Sequence, residues 1–137
     1  MKSFNLTVEL VCRFSDTDAM GHVNNAAYLS YLEEARFGYM RKLFDVKDWS
    51  KIGIILARVE IDYRSPAFCG ETVVVGIRTS KVGGASFEAS YRLEDKATGR
   101  LVAEAKSVQV WYDYKSSKVS RIPAEAAERL RSFEALS

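Results

Sequence analysis

The run NAAYLSYLEEARFGYMRKLF, residues 25–44, decides how the rest of the chain is read. Tyr28, Leu32, Ala35, Tyr39 and Leu43 recur at steps of three and four, the period of one helix face. No proline interrupts them, and Asn24 or Asn25 can cap the start. A second stripe, Ala27, Tyr31 and Phe37, widens the apolar surface. The spacing predicts a helix of about 20 residues, roughly 30 Å long. A helix apolar on two sides has to be wrapped by other structure.

The flanking sequence supplies the wrapping. Before the helix, residues 4–14 alternate, with Leu6, Val8, Leu10, Cys12 and Phe14 on one side and Thr7, Glu9 and Arg13 on the other. That period of two is a half-buried strand. A polar turn follows, Ser15 to Gly21. After the helix the alternation returns in four runs: 56–65, 72–82, 86–94 and 101–113. Their apolar faces read as Val59, Ile61 and Tyr63; Val73, Val75 and Ile77; Phe87, Ala89, Tyr91 and Leu93; and Val108, Val110 and Tyr112. Pro66, Cys69-Gly70, Gly83-Gly84 and Lys96 to Gly99 punctuate them as turns. Ile122-Pro123 opens a short amphipathic helix over Ala124–Phe133, with proline at its first turn.

Short connections imply a mainly antiparallel sheet. One long apolar helix against one curved five-stranded sheet gives an α+β domain of two layers, with residues 1–137 as a single domain. Long strands at both sheet edges invite pairing with another chain, so a homodimer is expected, with a homotetramer as the further expectation.

Composition narrows the chemistry. The 137 residues include 47% hydrophobic and 28% charged side chains, which suits a globular domain. Lys plus Arg number 20 against 18 Asp plus Glu, a net charge of +2, which argues against a nucleic-acid binder. The single histidine excludes a multi-histidine metal site within one chain, and no metal or cofactor is expected. Cys12 and Cys69 lack metal or redox spacing and read as core residues. The longest apolar run, residues 52–57, is far short of the roughly 20 needed to span a membrane. Glu9 interrupts any signal-like segment, so the expected compartment is the cytoplasm.

The chemistry concentrates in DAMGHVNNAAY, residues 18–28, followed by LEEAR, residues 32–36. This pattern resembles the hotdog-fold thioesterases, in the branch of 4-hydroxybenzoyl-CoA thioesterase-like and long-chain acyl-CoA thioesterases. Ile61 to Pro66 with Gly70-Glu71, Gly83 to Phe87, and Ile122-Pro123 extend the resemblance over nearly the whole chain. It implies a long helix wrapped by a curved sheet, dimers joined edge to edge, and active sites at the dimer interface. The implied reaction is hydrolysis of an acyl-CoA thioester to free acid and coenzyme A.

The resemblance places Asp18 at the catalytic carboxylate, as nucleophile or as general base for water. It places Asn25 at the group whose backbone N–H polarises the thioester carbonyl. A helix start favours such a role, because its N–H groups and dipole stabilise a developing oxyanion. His22 matches a histidine assigned a catalytic part in the similar plant acyl-acyl-carrier-protein thioesterases, although their neighbouring Asn is Met20 here. Asn24, Tyr28 and Lys81 are candidate substrate contacts, with Arg58, Arg64 and Arg92 further basic candidates for the phosphates of coenzyme A. Asp16 reads as a turn or surface residue. Glu33 stands near the site where another hotdog branch carries its carboxylate. Alternatives to the acyl-CoA hydrolase are an acyl-carrier-protein thioesterase and a non-catalytic acyl-CoA-binding module. Acyl length and type stay undetermined at this level.

Overall fold

A computed structural model describes residues 1–44 and 53–137; residue 52, the first of the apolar run 52–57, lies outside them. Strand β1 (Leu6–Val11) leads through a single 3-10 turn (Phe14–Asp16) into helix α1 (Ala27–Phe44). Strands β2 (Ile54–Tyr63), β3 (Thr72–Val82), β4 (Ser86–Asp95) and β5 (Leu101–Asp113) follow, then a two-residue strand β6 (Lys118–Val119) and helix α2 (Ala124–Glu134). The helix starts two residues later than its periodicity suggested, because Asn24 caps it and Asn25 lies in the cap turn rather than in the helix.

The main sheet runs β1-β3-β4-β5-β2, antiparallel throughout, with β6 added to the far end of β5. Only β3-β4 and β4-β5 are hairpins within the five long strands; the chain crosses from β2 at one edge to β3 beside the other. β6 is the sixth strand that the sequence pattern missed, too short to carry any periodicity. The β4-β5 turn shows why its sequence works. Gly99 takes a positive φ of 76°, and the buried Asp95 carboxylate receives the Thr98 N–H and hydroxyl.

Helix α1 lies across the concave face. Leu32, Ala35 and Tyr39 are fully buried against Val73, Val75, Ile77, Phe87 and Leu93, the faces expected from alternation. Where Gly38 passes β1, an added Cβ would stand 3.1 Å from Val8 Cγ1, so the absence of a side chain permits the close approach. Helix α2 packs behind through Leu130, and its terminal Glu134 accepts the Thr79 N–H at 2.8 Å.

Three expectations change. Phe14 does not continue the inward face of β1: the strand ends at Val11 and the 3-10 turn leaves Phe14 83% exposed. Cys12 is buried, but Cys69 is exposed. On β5 the inward side chains are Ala103, Ala105, Ser107 and Gln109, whereas Val108 and Val110 are only half-buried. The β4-β5 register slips between Leu93 and Glu94, so Val102 is an extra residue on β5. One extra residue reverses the phase of every side chain beyond it.

Candidate active site

The segment from Arg13 to Tyr28 is folded by its own polar side chains. Asp16 is buried rather than at the surface. Its carboxylate accepts the Arg13 N–H at 3.1 Å, the Arg13 guanidinium at 3.1 Å and the Tyr31 hydroxyl at 2.9 Å. Burial pushes this carboxyl upward, but the Arg13 and Tyr31 bonds outweigh it and hold it below the ordinary carboxylate range. The Asp16 carbonyl accepts the Asn24 N–H at 2.8 Å, tying the turn to the helix start.

Residues 17–23 close into a tight turn. Thr17 bridges Val23, the Asp18 N–H donates to the His22 carbonyl at 3.0 Å, and Gly21 has φ of 84°. The turn docks on the β2-β3 connection through Val23 N–H to the Ala67 carbonyl and a bridge between His22 and Phe68. Asp18 is about a third exposed, at 31%. Its Oδ1 accepts the Met20 N–H at 2.8 Å, while Oδ2 faces His22 Nδ1 at 3.7 Å.

The helix start follows this turn along the chain. Asn24 Oδ1 accepts the Ala26 N–H and its carbonyl accepts the Ala27 N–H, so the Asn24 side chain is committed to capping. Asn25 is exposed, and its carbonyl accepts the Tyr63 hydroxyl at 2.9 Å. Among the described residues no acceptor meets the Asn25 N–H. Tyr28 is buried, and its hydroxyl accepts the Ala67 N–H at 3.2 Å. Burial raises the Tyr28 hydroxyl above its ordinary value. Its ring packs edge-on against Tyr31 and Tyr63, so it supports the helix start from beneath.

Asp18 and His22 thus face each other in one turn, Asn24, Asn25 and Tyr28 stand at the helix start that follows it, and Lys81 belongs to neither. Lys81 lies at the other end of β3 from the docking point of the turn, roughly 30 Å along the strand from Thr72 at about 3.3 Å per residue. Arg58, Arg64 and Arg92 are engaged with Glu60, Glu104 and Glu94.

Sequence reasoning did not find a second feature, a cavity of about 230 Å³ between α1 and the sheet. Its lining includes Glu33, Arg36 and Met40 from α1, Ile54 and Leu56 from β2, and Gln109 from β5. The alternation had placed Gln109 on the outward side, and only the Val102 bulge turns it in. Among the described residues no group of three or more His, Cys, Asp or Glu side chains could hold a metal ion. Nor is any described helix long and apolar enough to cross a membrane.

The family model of the thioesterase-like superfamily matches residues 12–130. The long-chain acyl-CoA thioesterase FadM of Escherichia coli is 30% identical over 116 residues, covering 82% of this chain and 87% of that protein. The 1,4-dihydroxy-2-naphthoyl-CoA hydrolase of Crocosphaera subtropica is 28% identical, covering 93% and 96%. A crystal structure of a thioesterase from Thermus thermophilus, complexed with coenzyme A and zinc, superposes with a TM-score of 0.88 at 33% identity, covering 100% of both chains.

Proposed function

The chain belongs to the thioesterase-like superfamily, and on that premise we propose that it hydrolyses acyl-CoA thioesters to a free acid and coenzyme A. What supports the reading is a part-exposed carboxylate, Asp18, held in a hydrogen-bonded turn that leads into the start of α1. Asp18 Oδ2 attacks the thioester carbon or takes a proton from the attacking water. The Asn25 N–H and the positive end of the α1 dipole stabilise the oxyanion that forms on the carbonyl oxygen. Collapse of the tetrahedral species expels the thiolate of coenzyme A: in the general-base route the thiolate takes the proton that Asp18 removed from water and the acid is free, and in the nucleophilic route water then opens the acyl anhydride on Asp18, releasing the acid and supplying the proton. The Met20 N–H orients the carboxylate through Oδ1, and His22 Nδ1 stands 3.7 Å from Oδ2.

The working unit is a homodimer joined along β2. That strand is a sheet edge of ten residues, and Leu29, Phe37, Leu56 and Tyr63 leave 40–43% of their surface exposed around it. A two-fold axis through the middle of β2 pairs the strand with its own copy, antiparallel. The Ile54–Leu56 end of one copy then lies beside the Tyr63 end of the other. The cavity of one subunit thereby faces the Tyr63 end of its partner, where the partner's Asn25 lies. The proposed compartment is the cytoplasm.

A second reading takes Glu33 as the carboxylate. Glu33 lines the cavity and Asp18 does not. The test of the activity is a thiol-release assay across short, long, branched and aromatic acyl-CoAs. Release of free coenzyme A at enzymatic rates from at least one is expected. Tight binding without release across the whole panel would instead favour the acyl-CoA-binding module, and hydrolysis only of acyl carrier protein would move the substrate.

A further inference from the structure

The backbone at the entry to α1 is held at every polar end but one. Asn25 joins two peptide groups. In the first, the Asn24 carbonyl accepts the Ala27 N–H at 2.9 Å, and the Asn25 N–H has no acceptor among the described residues. In the second, the Ala26 N–H donates to Asn24 Oδ1 at 2.8 Å, and the Asn25 carbonyl accepts the Tyr63 hydroxyl at 2.9 Å. The bonds to Asn24 arise within residues 24–27 and are local cap chemistry. The bond from Tyr63 is different: it reaches across from the end of β2, 38 residues away. Among the described residues no other donor meets the Asn25 carbonyl.

Tyr63 is itself fixed from two sides. Its backbone pairs with Ala103 of β5. Its ring meets Tyr28 edge-on, with centroids 5.3 Å apart, and Tyr28 is anchored in turn by its bond from the Ala67 N–H. Burial raises the Tyr63 hydroxyl above its ordinary value, so at neutral pH it keeps its proton and donates. The 25–26 peptide is therefore held at both its oxygen and its N–H, and the 24–25 peptide at its oxygen. Each peptide group is planar, and the two are linked only through the soft dihedrals at Asn25. Holding one plane at both ends and the other at its carbonyl leaves the free Asn25 N–H a single direction.

We infer that Tyr63 is a positioning residue: by fixing the Asn25 carbonyl, its hydroxyl aims the neighbouring Asn25 N–H at the place where the thioester oxyanion forms. It acts through the backbone and not on the thioester. The inference rests on the thioesterase reading and deepens it by naming what holds the oxyanion donor. A donor fixed in advance stabilises developing charge without reorganising, and a small misplacement costs most where the charge is greatest. The ground-state carbonyl carries less charge than the oxyanion, so loss of the aim falls on kcat and not on KM.

The test is Tyr63→Phe, which keeps the ring against Tyr28 and deletes only the hydroxyl. Tyr63 is 43% exposed, so the variant should melt within about 4 °C of the parent. With an acyl-CoA that the parent hydrolyses, kcat is expected to fall about ten- to a hundredfold, with KM within about threefold. NMR of the protein without substrate gives a second readout. The Asn25 carbonyl-carbon resonance should move upfield as its hydrogen bond is lost, and the Asn25 amide cross-peak should shift or broaden. Tyr63→p-aminophenylalanine, whose amine donates from the same place, should recover kcat to within about threefold of the parent and guards against a Tyr63→Phe protein that fails to fold. An unchanged kcat in Tyr63→Phe, a loss confined to KM, an Asn25 carbonyl resonance that stays in place, or no recovery by the amine overturns the inference while leaving the hydrolase intact. A parent that turns over no thioester refutes the hydrolase reading, and the inference falls with it.

Discussion

Replacing Asp18 by asparagine separates chemistry from folding, because the two carboxylate oxygens do different work. Oδ1 closes the turn by accepting the Met20 N–H at 2.8 Å, and the asparagine carbonyl preserves that bond. Oδ2 faces His22 Nδ1 at 3.7 Å, beyond hydrogen-bond distance, with both side chains about a third exposed. An ion pair in that setting is worth ~1 kcal/mol or less. The variant should therefore melt within about 4 °C of the parent and keep its oligomeric state. Turnover should behave differently. An amide neither accepts a proton from water nor forms an anhydride, so kcat should fall about a thousandfold, ~4 kcal/mol of barrier. Thiol release under saturating acyl-CoA measures the rate, and a thermal melt on the same sample measures the fold. A folded Asp18→Asn protein that retains turnover within about tenfold of the parent refutes the assignment. Glu33→Gln provides the opposing arm. It should cost less than about tenfold if Asp18 is the catalytic carboxylate, and should reproduce the thousandfold loss if Glu33 is.

Three further outcomes follow from other parts of the molecule. Asp16→Asn removes the charge that holds Arg13 and Tyr31, and should destabilise the fold by ~2 kcal/mol at neutral pH, as read from urea unfolding. Since the folded-state value of Asp16 is depressed, its contribution is present above the ordinary carboxylate range and is lost as pH falls through the folded value. The gap between parent and variant should thus be flat at neutral pH and shrink below about pH 4. Tyr39→Phe deletes a hydroxyl lying 2.5 Å from Glu134 Oε2 and 2.9 Å from Thr79 Oγ1, so differential scanning calorimetry should show a loss of about 1–3 kcal/mol. Leu56→Glu puts a charge on the exposed β2 edge, and light scattering should find monomers with hydrolysis reduced in parallel; a dimer that survives the change places the interface elsewhere.

How much of this was legible in the sequence varied with the range of the interactions involved. Strands β3 and β4 were readable because a single face of each is buried, and Val73, Val75, Ile77, Phe87, Ala89 and Leu93 alternate without interruption. Helix α1 was readable for the same reason at a different period. The turn and helix cap over residues 18–28 were readable because they lie within eleven consecutive positions, where such hydrogen bonding is local. Asp16 was misjudged because one of the groups it is buried against, the Tyr31 hydroxyl, lies fifteen residues away on α1, although its Arg13 bonds are local. The inward turn of Gln109 was misjudged because a bulge at Val102 leaves no signature in composition.

The sequence by itself determined the elements, the antiparallel character of the sheet, and the polar turn that leads into the capped start of α1. These depend on backbone propensities and on contacts a few residues apart. Only the tertiary structure decided the strand order, with β2 sent to the far edge. Only it showed that Lys81 stands apart from the helix start, and that Arg36 and Gln109 line a cavity under α1. Those facts arise from the pairing of distant strands. A one-residue change of register, invisible in any window of the sequence, sets which side chains meet there.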